Sequence, residues 1–255
     1  GMGTPVAPIR KAVMHGLLGD GPLTVTVGGN QGFNWKFGWS GKIDQPEEKI
    51  PAHFDYNFWL GPAPVKPYTR HRTHGSFRGY WDYDGGGLGD MGQHYLDPVQ
   101  YILGKDEESP VEVFIDADKQ HHDAVGRWRR IEYKYADGTK LILDGDNREK
   151  DTPYIQGSAG NIMRGFKSDI KGFNEKLKSL KDPEPQITDF HQAVRERKTF
   201  ALNETKAFRS ASIVNLGTIA HRSNKSFRYD PKTFKIDEPE ADKYVHQEMR
   251  GPWKV

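Results

Sequence analysis

The stretch DYDGGGLGDMGQHYLDPVQYILG, residues 82–104, admits two readings, and the fold turns on which is right. Gly87, Gly89 and Gly92 spell G-x-G-x-x-G, the dinucleotide-binding fingerprint. Asp90 and His94 stand four apart, the spacing of two side chains on one face of a helix. A dinucleotide site needs a buried apolar strand directly ahead of its glycines, because the βαβ unit sets the phosphates on the helix N-terminus. The residues ahead of these glycines are SFRGYWDYDGG, which hold Arg78, Asp82 and Asp84 and no Val/Ile run. Asp90 would also lie where a diphosphate approaches, and a carboxylate opposes an anion there. The other reading makes chemical sense. Asp90 in the first turn of a helix over 87–103 is favoured as an anion by the helix dipole. His94 follows one turn later, and a carboxylate beside an imidazole orients its tautomer and stabilises its cation, as a general acid or base requires near neutral pH. The plain structural alternative is an acidic residue at a helix start and a hydrogen-bonded helix histidine.

Outward from this helix, Leu96, Val99, Ile102 and Leu103 supply its apolar face. Residues 5–18 read as a helix, with Ile9, Val13, Leu17 and Leu18 on one face, and PLTVTVGG (22–29) as a strand. Residues 30–80 are rich in Trp, Pro, His, Gly and Arg, and the prolines of FWLGPAPVKPY (58–68) exclude regular structure. This is a long ordered loop of the kind that carries function. VEVFIDADKQ (111–120) alternates as a strand, and 126–146 reads as a hairpin around Ala136-Asp137-Gly138. Residues 147–185 give no clear pattern, apart from a basic stretch at 167–181 that reads as a solvated helix face. QITDFHQAVRERK (186–198) reads as a helix with Thr188 as N-cap, 204–226 as a second helix suited to close packing, and FRYDPKTFKI as extended. Hairpin strands with separate helices predict an α+β fold with a largely antiparallel sheet, in one domain over 1–255.

Composition narrows the function. The chain has 255 residues with 28 Gly, 16 Pro and 12% aromatics, too many aromatics for a disordered chain. Lys+Arg 37 against Asp+Glu 35, without a basic block, leaves no electrostatic footprint for nucleic acid. No apolar run approaches the roughly 20 residues that span a bilayer, so no membrane partner is expected. Zero Cys excludes disulfides and thiol chemistry. The compartment stays open, with the cytoplasm preferred and the periplasm its alternative. Gly1 ahead of Met2 reads as the scar of a cleaved tag. His121, His122 and Asp123, His53 with Asp55, and His71 with His74 are metal ligands on paper only. None has helical H-x-x-x-H geometry, and neighbours on a strand face opposite ways, so no metal is expected.

Several motifs together resemble the C-terminal domain of the Gfo/Idh/MocA (glucose–fructose oxidoreductase and inositol dehydrogenase) oxidoreductase family. They are FWLGPAPVKPY, RTHGSFRGYWDYDGGGLGDMGQHYLD with its core Asp90, Gly92, His94 and Asp97, the ADGTKLILDGD hairpin, DFHQAVRERK, RSASIVNLGTIAHR, RYDPKT and the final Arg250, Pro252, Trp253. The resemblance covers nearly the whole chain and implies an open-faced, mostly antiparallel sheet with helices on one face. It implies that Asp90 and His94 position a substrate hydroxyl and move its proton, and that a sugar or polyol is the substrate. It also implies that Arg72, His74, Arg78, Trp81 and Tyr83 wall the substrate pocket. Arg and His suit hydroxyls or a carboxylate, and aromatic rings suit a pyranose face. The alternative for each is a loop held by Arg–backbone bonds.

In the family an N-terminal Rossmann domain binds NAD or NADP and adds a Lys. This chain shows no second G-x-G-x-x-G and no room for a βαβαβ unit. Residues 1–20 match the helix that follows that domain, so no cofactor is expected on this chain alone. The implied protein is the substrate part of an NAD(P)-dependent sugar or polyol dehydrogenase. The alternatives are a redox-neutral epimerase or lyase and a sugar-binding or scaffold module. An open antiparallel face would be a large apolar patch, which predicts a homodimer or homotetramer through the sheet.

Overall fold

The structure, a computed structural model, describes residues 5–253. Gly1 and Met2 lie outside them. The core hairpin forms where the alternation places it. β3 (Trp128–Lys134) and β4 (Lys140–Asp144) pair antiparallel, and Gly138 takes φ +88° in the turn between them. Asp137 caps that turn by accepting from the Thr139 amide at 3.0 Å. β1 (Thr24–Val27) lies parallel to β4, and β2 (Glu112–Ala117) antiparallel to β3.

The sheet extends at both sides. β5 (Ile155–Gln156), β6 (Asn161–Met163) and β7 (Lys167–Ser168) continue beyond β1, while β8 (Phe227–Asp230) and β9 (Lys235–Ile236) continue beyond β2. Among the described residues the nine strands run in the order β7-β6-β5-β1-β4-β3-β2-β8-β9, with only β1 and β4 parallel. β5, β6 and β7 come from the stretch that gave no pattern, because strands of two or three residues are too short to show a period. The basic stretch at 167–181 is not one helix: it begins in β7, and only Phe173–Ser179 is helical (α4, after α1 to α3 below).

Three helices cover one face of the sheet: α1 (Val6–Met14), α3 (Gly86–Leu103) and α6 (Glu204–Ser223). Val25, Val27, Val113, Ile131, Tyr133, Leu141 and Leu143 point into that layer and are almost wholly buried. A short α2 (Tyr56–Leu60) lies in the long loop, with Asp55 accepting from Phe58 N at 2.9 Å. α5 (Phe190–Glu196) starts later than expected: Asp189 rather than Thr188 is its cap, accepting from Gln192 N at 3.0 Å. Asn203 caps α6 in the same way, and Asn224 ends it in the left-handed region at φ 54°. After α7 (Pro239–Asp242) the described residues run on as turns and irregular chain to residue 253.

The open face of the sheet corrects an expectation. It is not an apolar patch. The alternation that sends Val113 and Ile131 inward sends Glu112, Arg130, Glu132, Lys134 and Lys140 outward, where they pair. Lys134 reaches Glu112 at 3.2 Å, Lys140 reaches Glu132 at 2.9 Å, and Arg130 bridges Glu132 and Glu149 at 3.1 and 2.6 Å. Phe114 is the large apolar side chain of β2 that stays open, at 49% exposure.

The glycines of the opening motif serve packing. Gly86 starts α3 at φ +67°, which a side chain would strain. A Cβ on Gly87 would lie 1.4 Å from the Trp35 carbonyl oxygen, and one on Gly89 would lie 1.9 Å from Asp84 Oδ1. Neither position has room for a side chain. Gly87→Ala should therefore cost about 3 kcal/mol or more in urea denaturation. Gly38→Ala, where nothing lies within 4 Å of the new methyl, should stay within about 0.5 kcal/mol of wild type.

Candidate active site

The residues ahead of α3 form a turn of 3-10 helix, His74–Gly79, which presents Arg78 to the helix. Arg78 Nε donates to Asp90 Oδ1 at 2.5 Å, and Nη1 donates to the Gly75 carbonyl at 3.2 Å. The guanidinium also stacks on Trp39 and Phe77, 5.0 and 4.9 Å from their ring centroids. A cation held by two rings and two acceptors has little freedom left.

This arrangement changes two expectations. α3 begins at Gly86, so Asp90 is its fifth residue and lies beyond the first turn. Nor does Asp90 bond His94. Its Oδ1 is taken by Arg78, and the His94 side chain makes no hydrogen bond among the described residues and is exposed. The two still share a helix face. Pro98 lies inside α3 and has no amide to give, so the His94 carbonyl lacks its usual helical donor.

The carboxylate nearest the helix start is Asp84. Its Oδ1 accepts from Gly85 N at 2.6 Å and lies against the Cα of Gly89. Its carboxyl is pushed up to about 6. Burial is the main cause and the charge of Asp90 adds to it, while the Gly85 amide and Arg78 pull the other way. Residues 90, 94, 97 and 101 form one stripe along α3. At its far end Asp97 and Tyr101 line a cavity of about 820 Å³, together with Lys11, Asp106, Leu177 and Lys206. Burial raises the Asp106 carboxyl there, against Lys206 and Arg10, which lower it.

The remaining pocket residues divide. Arg72 is buried, and its guanidinium donates to both oxygens of Asp123, at 3.2 and 2.7 Å. Trp81 is buried too, with Nε1 donating to the His121 carbonyl at 3.0 Å. The structure places these two inside the loop, where they hold it. Tyr83 is half-buried, meets Trp59 edge-on at 5.0 Å, and lines with Trp59, Phe77 and Asp82 a pocket of about 360 Å³. The tail at 247–249 walls that pocket, and Arg250 fixes the tail by donating to Asn57 Oδ1 at 2.6 Å and the Gly61 carbonyl at 2.8 Å. His74 is exposed, at φ 55°. His121 and His122 lie in an exposed loop, their rings 4.2 Å apart. His121 Nδ1 is used in accepting from the amides of Asp123 and Ala124.

Comparison with known proteins gives the family. The profile described as "Oxidoreductase family, C-terminal alpha/beta domain" matches residues 2–255. The chain belongs to this family. It is the C-terminal domain type of the Gfo/Idh/MocA oxidoreductases, and the mostly antiparallel open sheet agrees with it. No curated protein sequence matches the chain. Among solved structures it is similar to an oxidoreductase from Thermotoga maritima, at 16% identity and a TM-score of 0.40. The match takes in 85% of this chain and 58% of that one, so the chain spans under two thirds of that oxidoreductase's length.

The buried ion pair makes a stability prediction. Burial pushes the Asp123 carboxyl up, but Arg72 and Lys66 outweigh it and hold the group below its ordinary range. Asp123→Ala strands the Arg72 cation and should cost about 3–5 kcal/mol in urea denaturation at pH 7. A lowered carboxyl stabilises fully above its unfolded value and loses that stabilisation as pH falls through the folded one. The gap between wild type and Asp123→Ala should therefore shrink only below about pH 3.9.

Proposed function

We propose that this chain is the substrate-binding part, bearing the proton-transfer residues, of an NAD(P)-dependent oxidoreductase that acts on the CH–OH group of a sugar or polyol. The observation that carries this reading is the Asp90 carboxylate, fixed by Arg78, on the same helix face as an exposed His94. Membership of an oxidoreductase family supports it. Oxidising an alcohol removes a proton from oxygen and a hydride from carbon. Asp90 can accept a hydrogen bond from the substrate hydroxyl and so orient it. His94, with neither ring nitrogen hydrogen-bonded among the described residues, can take its proton.

The hydride acceptor belongs elsewhere. A 3-10 turn and loop, not a strand, lead into the glycines of this chain, and the Asp84 carboxylate lies at the helix start, which supports a cofactor held elsewhere. A separate nucleotide-binding domain supplies the nicotinamide in this reading.

The test uses the chain joined to such a domain, with NAD(P)⁺ reduction followed over a panel of sugars and polyols. Asp90→Asn and His94→Ala should each lower kcat by about 10²–10⁴-fold. Turnover that survives both substitutions would sink the reading. The open sheet face is where we propose that copies of the chain would meet. A homodimer or homotetramer meeting there would join across ion-paired side chains, so it should loosen in sedimentation at about 1 M salt, where the Debye length falls to about 3 Å. An apolar interface would hold or tighten.

A further inference from the structure

The long loop builds a small apolar core of its own, apart from the main one. Tyr56, Leu60 and Tyr68 are buried in it, and Phe54, Trp59 and Tyr83 pack against them. Trp59 is held by rings on several sides. Tyr56 stacks on it at 5.9 Å, Tyr83 and Phe77 meet it edge-on at 5.0 and 6.4 Å, and Phe54 lies tilted at 6.4 Å. Yet Trp59 stays only half-buried, and with Phe77, Asp82 and Tyr83 it walls the pocket of about 360 Å³. Gln247, Glu248 and Met249 close the pocket, and the Arg250 amide ties that tail to the Pro62 carbonyl at 2.9 Å. The polar wall is Asp82, whose side chain is 10% exposed and whose carboxylate accepts no hydrogen bond among the described residues. Its neighbouring cations are engaged elsewhere. Lys66 Nζ stands 3.5 Å from Asp82 Oδ2 and 3.4 Å from Asp123 Oδ1, while Arg222 is 3.8 Å from Asp82 Oδ1 and lies over the ring of Tyr244 at 4.5 Å.

We propose that this pocket is a subsite for a neutral sugar ring, so that the substrate is a disaccharide or other glycoside and not a single ring. The inference rests on the reading of Asp90 and His94 given above, and it names the class of substrate for that site. Fixed aromatic walls suit the C–H face of a pyranose, and a few placed polar groups orient a ligand in a mostly apolar pocket. The Asp82 carboxylate can accept from a sugar hydroxyl, a charge-assisted bond that supplies the partner it lacks. A cationic ligand fits less well, because Lys66 and Arg222 already flank that carboxylate and would repel it. Phe77 joins the two sites. Its ring lines the pocket and also lies 4.9 Å from the Arg78 guanidinium, which holds Asp90. A two-ring substrate would thus place its reacting ring at Asp90 and His94 and its second ring beyond Phe77, against Trp59.

The test follows the indole N–H signals of the ¹⁵N-labelled chain during titration with cellobiose, maltose, lactose, glucose and choline. Trp59→Phe assigns the Trp59 signal and keeps a ring in the small core, and circular dichroism checks that each variant folds. At least one disaccharide should move the Trp59 signal saturably and bind more tightly than glucose, and the same disaccharide should move the amides of Asp90 and His94. Asp82→Asn should weaken its binding about tenfold, the loss of a hydrogen bond to a charged group. A Trp59 signal that no sugar moves, one that choline moves in their place, or a disaccharide affinity equal to that of glucose or untouched by Asp82→Asn, would overturn the proposal. The titration needs neither nucleotide nor turnover, so it separates the two claims. A Trp59 response with the amides of Asp90 and His94 unmoved would sink the reading of those two residues and leave the sugar pocket standing.

Discussion

Helix α3 lies where it does because Gly87 brings its backbone against the carbonyl of Trp35. No side chain fits between them. Trp35 is itself pinned, with Nε1 donating to the Asp144 carbonyl at 3.1 Å and its ring edge-on to Tyr95 and Trp128 at 5.3 and 5.1 Å. That one approach ties the end of β4, the loop at 33–41 and the helix together. The loop then carries Trp39 to Arg78, and Arg78 carries Asp90. Tyr95, next to His94, stacks on Phe33 at 4.3 Å and anchors the same turn of the helix from the other side. The site is therefore preorganised by packing, with its polar groups placed by apolar neighbours.

Two arginine–carboxylate pairs in this loop show how burial separates structure from function. Arg72 and Asp123 bond at both ends in the interior. A pair of that kind is costly to break and silent toward a ligand. Arg78 and Asp90 are partly open and joined at one oxygen, so solvent or a substrate can compete for the rest of the carboxylate. A pair of this kind adds little to stability and offers adjustable charge instead. The two arginines lie in one short stretch, RTHGSFR at 72–78, and only their depth tells them apart.

Much of the fold was legible because it rests on periodicity. The alternation of β3 and β4, the apolar face of α3 and the length of α6 are local signals, and each element lies within a few residues of its predicted place. The i, i+4 spacing of Asp90 and His94 was readable on the same grounds. The partner of Asp90 was not, since the choice of Arg78 over His94 depends on a turn of 3-10 helix and on Trp39, about 50 residues from Asp90 in the chain. Asp84 could have been noticed, because a carboxylate directly before helix-starting glycines is exposed to both burial and dipole. The charged open face of the sheet was also there in Glu112, Glu132, Lys134 and Lys140. A general rule about bare antiparallel faces hid what the alternation already specified. β5 to β7 had no signal, because tertiary pairing alone defines strands so short.

The most direct measurement is amide chemical-shift mapping of the ¹⁵N-labelled chain during titration with neutral polyols, myo-inositol and glucose among them. Shifts centred on Arg78, Asp90 and His94 that vanish in Asp90→Asn would place the substrate on the stripe of α3. Shifts confined to the Trp59–Tyr83 pocket or to the cavity at Asp106 and Lys206, with Asp90 unmoved, would contradict a substrate site at the start of that helix.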